Sequence, residues 1–68
     1  MTFSTGDTVA WNTSQGTTHG RVVEMRTSEF QFEGQTFKPR ADDPYYIVES
    51  TRTGAQAAHL ESALRRKG

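Results

Sequence analysis

Arg21, Arg26, Lys38, Arg40 and Arg52, with Arg65-Arg66-Lys67 near the end of the sequence, carry the charge that would meet phosphates if several lay on one side of a fold. Trp11, Phe30, Tyr45 and Tyr46 are interleaved with them. Rings set among cations suit a single-stranded nucleic acid, because every base has a face to stack. Glu24, Glu29, Glu33, Asp42, Asp43 and Glu49 run through the same stretches, however, and within roughly one Debye length they cancel much of the field. The chemistry on offer is weak phosphate contact against a background of ordinary solvated charge.

Catalysis and metal binding have less to draw on. His19 and His59 are the two histidines, and there is no cysteine. A zinc site wants three or four ligands, and no His-x-x-His spacing supplies even a pair. His59 reads instead as a side chain that packs or hydrogen-bonds at the end of a strand. Asp42 and Asp43 are neighbours on a loop and point in different directions, so they do not form a working carboxylate pair. Gly16, Gly20 and Gly34 are too dispersed for a phosphate-cradling loop. The expectation is no catalytic residue, no metal and no cofactor.

These side chains must be held by a very small fold. The 68 residues allow one domain, and a chain of that size buries only about 60% of the surface its unfolded form exposes. Leu, Ile, Val and Phe number two, one, four and four, below the roughly one-fifth associated with disorder. Disorder of that kind also needs a large net charge, and eight basic residues here balance eight acidic ones. Ten threonines and seven aromatics favour sheet. With no disulfide available, stability must come from packing alone. No apolar run approaches about 18 residues, and the opening MTFSTGD has neither a basic leader nor an apolar stretch. A soluble, cytoplasmic protein without membrane contact is expected.

Alternation places the elements. Val9 and Trp11 share one face of a strand near 8–12, and a β-rich run covers 20–26. The segment from Asn12 to Gly20 has the Asn, Ser, Gly and Thr content of a loop, which makes a long-looped hairpin. Val22-Val23 gives an apolar residue to each face. Gly20 fits a close backbone approach or a bulge. Phe30 and Phe32 alternate with Gln31 and Glu33 before Thr36-Phe37, a second hairpin turning at Glu33-Gly34. Pro39 to Pro44 is a loop. Tyr45 to Glu49, in a strand near 45–50, is the most strand-favouring run, and Gly54 turns the chain into a return strand near 55–59. Leu60 and Leu64 stand at the i, i+4 spacing of a short helical turn near 61–65, whose basic end suits a helix C-terminus. Several short strands between turn signals, in so few residues, imply a small all-β barrel.

A set of motifs in this order resembles a known family. Gly6, Asp7, Val9 and Trp11 form GD-x-V-x-W, followed by Gly16 and by G-x-V at Gly20 and Val22. DP-x-Y-x-V follows at Asp43, Pro44, Tyr46 and Val48, then Thr53-Gly54, Ala57-Ala58-His59 and Leu64. This resembles the Tudor-like domain of the hypervirulence-associated protein family over nearly the whole chain. Ser28 to Arg40 is its least typical part. The resemblance implies an SH3-like, Tudor-type barrel, a strongly bent five-stranded sheet with a short helical turn near its end. Tudor barrels that hold methylated Lys or Arg box the cation with aromatic rings. Trp11, Phe30, Tyr45 and Tyr46 are the rings available for such a cage, but a barrel this poor in Leu and Ile needs them as core.

The resulting expectation is a non-enzymatic, monomeric binding module. Val9, Trp11, Val22, Tyr46, Val48 and Leu64 form its core. Its binding residues are Trp11, His19, Arg21, Arg40, Tyr45 and Arg52, presented by loops at 12–19 and 39–45, and its partner is a protein segment or a nucleic acid. The alternative is a small-molecule or nucleotide binder ancillary to an enzyme. A contiguous aromatic or basic patch favours the first reading, and a concave pocket with convergent polar groups favours the second.

Overall fold

The alternation of Val9 and Trp11 with outward Thr8 and Asn12 is realised in β1 (Thr8–Thr13), which pairs antiparallel with β2 (Gly16–Arg26). A computed structural model describes residues 3–66. The ladder runs from Thr8 opposite Arg21 to Thr13 opposite Gly16, so only Ser14 and Gln15 connect the two strands. The loop expected between Asn12 and Gly20 is therefore strand. Its threonines explain why: β-branched side chains suit extended backbone. Thr17 Oγ1 donates to Asn12 Oδ1 across the ladder at 3.2 Å. Thr13 Oγ1 accepts from Gln15 N at 3.1 Å and donates to Gly16 O at 2.9 Å, closing the turn with its own side chain.

β2 also pairs with the strand-favouring run Tyr45–Ser50. Between them lies a separate two-stranded hairpin, β3 (Phe30–Phe32) and β4 (Gln35–Phe37), which makes Tyr45–Ser50 β5 and the returning strand Gln56–Leu60 β6. The hairpin turns at Glu33-Gly34, both at positive φ (51° and 79°), the signature of a tight two-residue connection. The principal sheet has the order β6-β5-β2-β1-β7, where β7 (Arg65–Arg66) pairs with Val9 and Ala10 of β1. The basic end expected to close a helical turn is thus an edge strand. Only a 3-10 turn forms, at Glu61–Ala63, and Leu64 is already extended at φ −105°, ψ 148°. Val22-Val23 divides between the two faces, with Val22 buried and Val23 exposed. The β2–β5 register passes from Val22 opposite Val48 to Glu24 opposite Ile47, so a bulge at Val23 leaves it 39% exposed, and Met25 beyond it is 44% exposed.

The inner face carries Phe3, Val9, Trp11, Val22, Tyr46, Val48 and Leu64 as one buried cluster, with Ala57 packed against it. All six residues expected in the core are there. Each fully buried large apolar side chain contributes roughly 1.5–3 kcal/mol. The Trp11 and His59 rings meet at 5.4 Å although β5 and β2 separate their strands in the sheet. Only a sheet curled on itself brings those two side chains together across its concave face, which is the SH3-like barrel. Tyr46 closes the end at the start of β5: its hydroxyl accepts from Phe3 N at 3.1 Å and donates to Glu61 Oε1 at 2.9 Å. On the other face of β5, Phe30 stacks on Phe37 at 5.2 Å, and both meet Tyr45 edge-on at 5.8 and 4.9 Å. The hairpin therefore covers Tyr45 with a small aromatic cluster of its own. Among the described residues no helix is long and apolar enough to cross a membrane.

Candidate functional site

At the Ser50 end of β5 the β1–β2 turn and the β5–β6 turn stand beside each other. Backbone bonds fix their separation, since Thr51 N donates to His19 O at 3.2 Å and Gly54 N to Ser50 O at 2.8 Å. Between them opens a cleft of about 300 Å³ lined by Trp11, Thr18, Ser50, Arg52, Ala55 and Gln56, among others. Trp11 forms its buried wall at 5% exposure. The benzo end of that ring is the inner end, held where Gly20 lacks a side chain: a Cβ there would sit 2.6 Å from Trp11 Cη2 and collide with the Glu49 carbonyl oxygen.

The lining has a distinctive polarity. Arg52 is its one charged residue, and no carboxylate borders it. Ser50, the one buried polar residue among those described, accepts from Arg52 N at 3.2 Å, which leaves its O–H to donate elsewhere. The indole N–H of Trp11 makes no hydrogen bond among the described residues. Arg52, Ser50 and Trp11 each offer a donor, beside neutral hydroxyl and amide groups that can donate or accept.

A larger cleft, about 570 Å³, lies at the Tyr45 end, bordered by Phe3, Asp42, Asp43, Glu61, Leu64 and Arg66, among others. Several of its polar groups are already engaged. Asp43 accepts from Ser62 N and Oγ at 3.2 and 3.1 Å, Glu61 accepts from Tyr46, and Arg66 pairs with Asp7 at 3.4 Å while lying over the Phe3 ring. Burial pushes the Tyr46 phenol up from its ordinary pKa.

The six residues singled out in the sequence fall in different places. Trp11 and Arg52 line the same cleft. His19 and Arg21 are exposed on β2, on the face away from Gly20 and Val22, and Arg21 stands opposite Glu49. Arg40 is exposed in the loop before β5, 3.9 Å from Asp42, and Tyr45 is half-buried in the hairpin's aromatic cluster. Arg26 pairs with Glu24 at 3.2 Å and lies over the Phe30 ring. Thr18 lines the cleft from within the 12–19 segment expected to make contact, although it was not singled out there. Ser50 and Gln56 line it too and escaped the sequence reading, where they belonged to strands rather than to a site.

Residues 6–64 match the family of hypervirulence associated proteins TUDOR domain. The chain belongs to this family. Neither the curated proteins nor the solved structures give a significant match. In this TUDOR domain the four candidate cage rings do not surround a common space. Tyr46 and Trp11 are core, and Phe30 and Tyr45 pack on each other. The TUDOR fold is generally a non-catalytic binding scaffold, and the cleft at the Ser50 end sets polar side chains beside an aromatic wall.

Proposed function

We propose that this TUDOR domain is a non-catalytic interaction module that docks a protein segment in the cleft between the β1–β2 and β5–β6 turns. The observation that carries this reading is the pairing of Trp11 and Arg52 in one concave, acid-free site. A segment entering it gains an aromatic wall, a free guanidinium and neutral hydrogen-bond donors, the mixture that anchors peptides at interfaces. Nucleic acid is the weaker reading. Arg26, Arg40 and Arg66 each lie within 4 Å of an acidic side chain, and Arg21 faces Glu49 across the ladder, so much of the basic charge is already compensated before a phosphate arrives. A small molecule would use the same cleft but meets a site open to solvent along its rim.

Binding to an array of immobilised peptides tests the proposal. Ala55→Trp fills the cleft from an exposed turn position, while Arg21→Ser with Arg40→Ser removes charge elsewhere. Peptide binding abolished by the first variant and retained by the second supports the reading. Binding indifferent to Ala55→Trp contradicts it.

A further inference from the structure

Resting on the protein-segment reading, the geometry points to the chemistry the cleft selects: a single carboxylate carried by the docked segment, held by Arg52, Ser50 and Trp11. Three features converge on this. Arg52 is the one charge in the lining and pairs with no acidic side chain among the described residues. Ser50 is more than nine-tenths buried, and its oxygen is already occupied as an acceptor by the Arg52 N–H, which turns the hydroxyl proton toward another partner. Trp11 lines the same cleft, and its indole N–H, open to solvent, has no acceptor among the described residues.

Donors that line a cleft without a protein acceptor are satisfied by water until a better acceptor arrives. A carboxylate is acceptor-only, with two oxygens and about four lone-pair directions, and a planar guanidinium matches it in bidentate fashion. Charge distinguishes it from phosphate. One arginine balances one carboxylate, whereas a phosphate monoester carries about −1.5 to −2 near neutral pH and would remain under-compensated in a cleft with a single cation. Ala55 and Ala57 also line the cleft and leave room for the short aliphatic stem that bears the carboxylate.

The carboxylate has two possible sources in a protein segment, an acidic side chain or a chain terminus, and the experiment separates them. The full chain, labelled with nitrogen-15, is titrated with four probes: acetyl-Ala-Glu-Ala-amide, its Gln counterpart, acetyl-Ala-Ala-Ala with a free C-terminal carboxylate, and inorganic phosphate. The chain has one tryptophan, so its indole N–H cross-peak is assigned without ambiguity. The expected result is a saturable shift of that cross-peak and of the Ser50 and Arg52 amides with a carboxylate-bearing peptide. The Glu peptide acting alone identifies a side-chain carboxylate, and the free terminus acting alone identifies a chain end. Arg52→Gln, a change at an exposed turn residue, should weaken the binding about tenfold or more, since a charge-assisted bond is lost. Equal shifts with the Glu and Gln peptides would overturn the carboxylate assignment while leaving the docking site in place. Shifts with phosphate and with neither carboxylate would also overturn it. No shift at the cleft with any peptide would remove both readings together.

Discussion

Trp11 lies over Gly20, and the two residues define each other: the indole fills the volume that the missing side chain leaves beside the Glu49 backbone. Gly20→Ala should therefore act as overpacking against a rigid backbone atom and cost about 2–3 kcal/mol. Urea denaturation followed by circular dichroism measures it. An unchanged midpoint would mean that the ring has somewhere else to go.

Removing the ring itself is harsher. Trp11→Ala should cost about 3–5 kcal/mol. A domain of this size has a total stability of roughly 3–10 kcal/mol, so the variant is expected to be largely unfolded at room temperature. A cooperative melt close to that of the wild type would place the ring outside the core.

The hairpin offers a gain rather than a loss. Glu33 adopts φ 51° ahead of Gly34, a conformation that Asn tolerates better than Glu. Glu33→Asn should stabilise the domain by about 0.5 kcal/mol, read as a higher denaturation midpoint. A lower midpoint would show that Glu33 holds the turn by another contact.

These positions also show where the sequence was legible. Val9, Trp11, Val22, Tyr46, Val48 and Leu64 announced themselves by alternation, because a strand with one wet face must alternate. The turn at Glu33-Gly34 was equally plain from Gly34 breaking an alternating run. Asn12 to Gly20 misled because composition cannot distinguish a polar loop from a polar strand that runs past the core. The ladder from Asn12–Thr17 to Thr13–Gly16 decides that, and it is a tertiary fact. Val22-Val23 put an apolar residue on each face, but the bulge at Val23 depends on the partner strand and could not be read from the pair itself. Of the candidate site, Trp11 and Arg52 were visible as types capable of contact. Ser50 was not, since its significance lies in being buried with its oxygen already occupied.

Acid should weaken the fold through His59. The ring is half-buried against Trp11, and desolvation lowers its pKa from 6.5. The unfolded chain therefore takes up the proton first, so this contribution is complete above about 6.5 and is lost as pH falls through the lower folded value. Stability measured from pH 7.5 down to 5 should decline, with a shallower decline in His59→Gln. Identical slopes for the two proteins would exclude His59 as the cause.

Tyr46→Phe tests the closure of the opposite end. It leaves the Phe3 N–H without its acceptor and should cost about 1–3 kcal/mol near neutral pH. The phenol's raised pKa means that its contribution holds below about 10 and fades as pH rises through the folded value. The gap between wild type and variant should therefore narrow under strongly alkaline conditions. A gap that widens there would contradict the assignment.

Partners are expected to enter at the Trp11–Arg52 cleft. An amide-shift map of the wild-type domain, with a mixed pool of soluble peptides in one sample and a single-stranded oligonucleotide at low salt in another, tests it most directly. Peptides are expected to move the Trp11 indole cross-peak and the amides of residues 13–18 and 50–57, while the oligonucleotide leaves them in place. Strong oligonucleotide-induced shifts centred on Arg21, Arg26 and Arg40, with a silent Trp11, would contradict it.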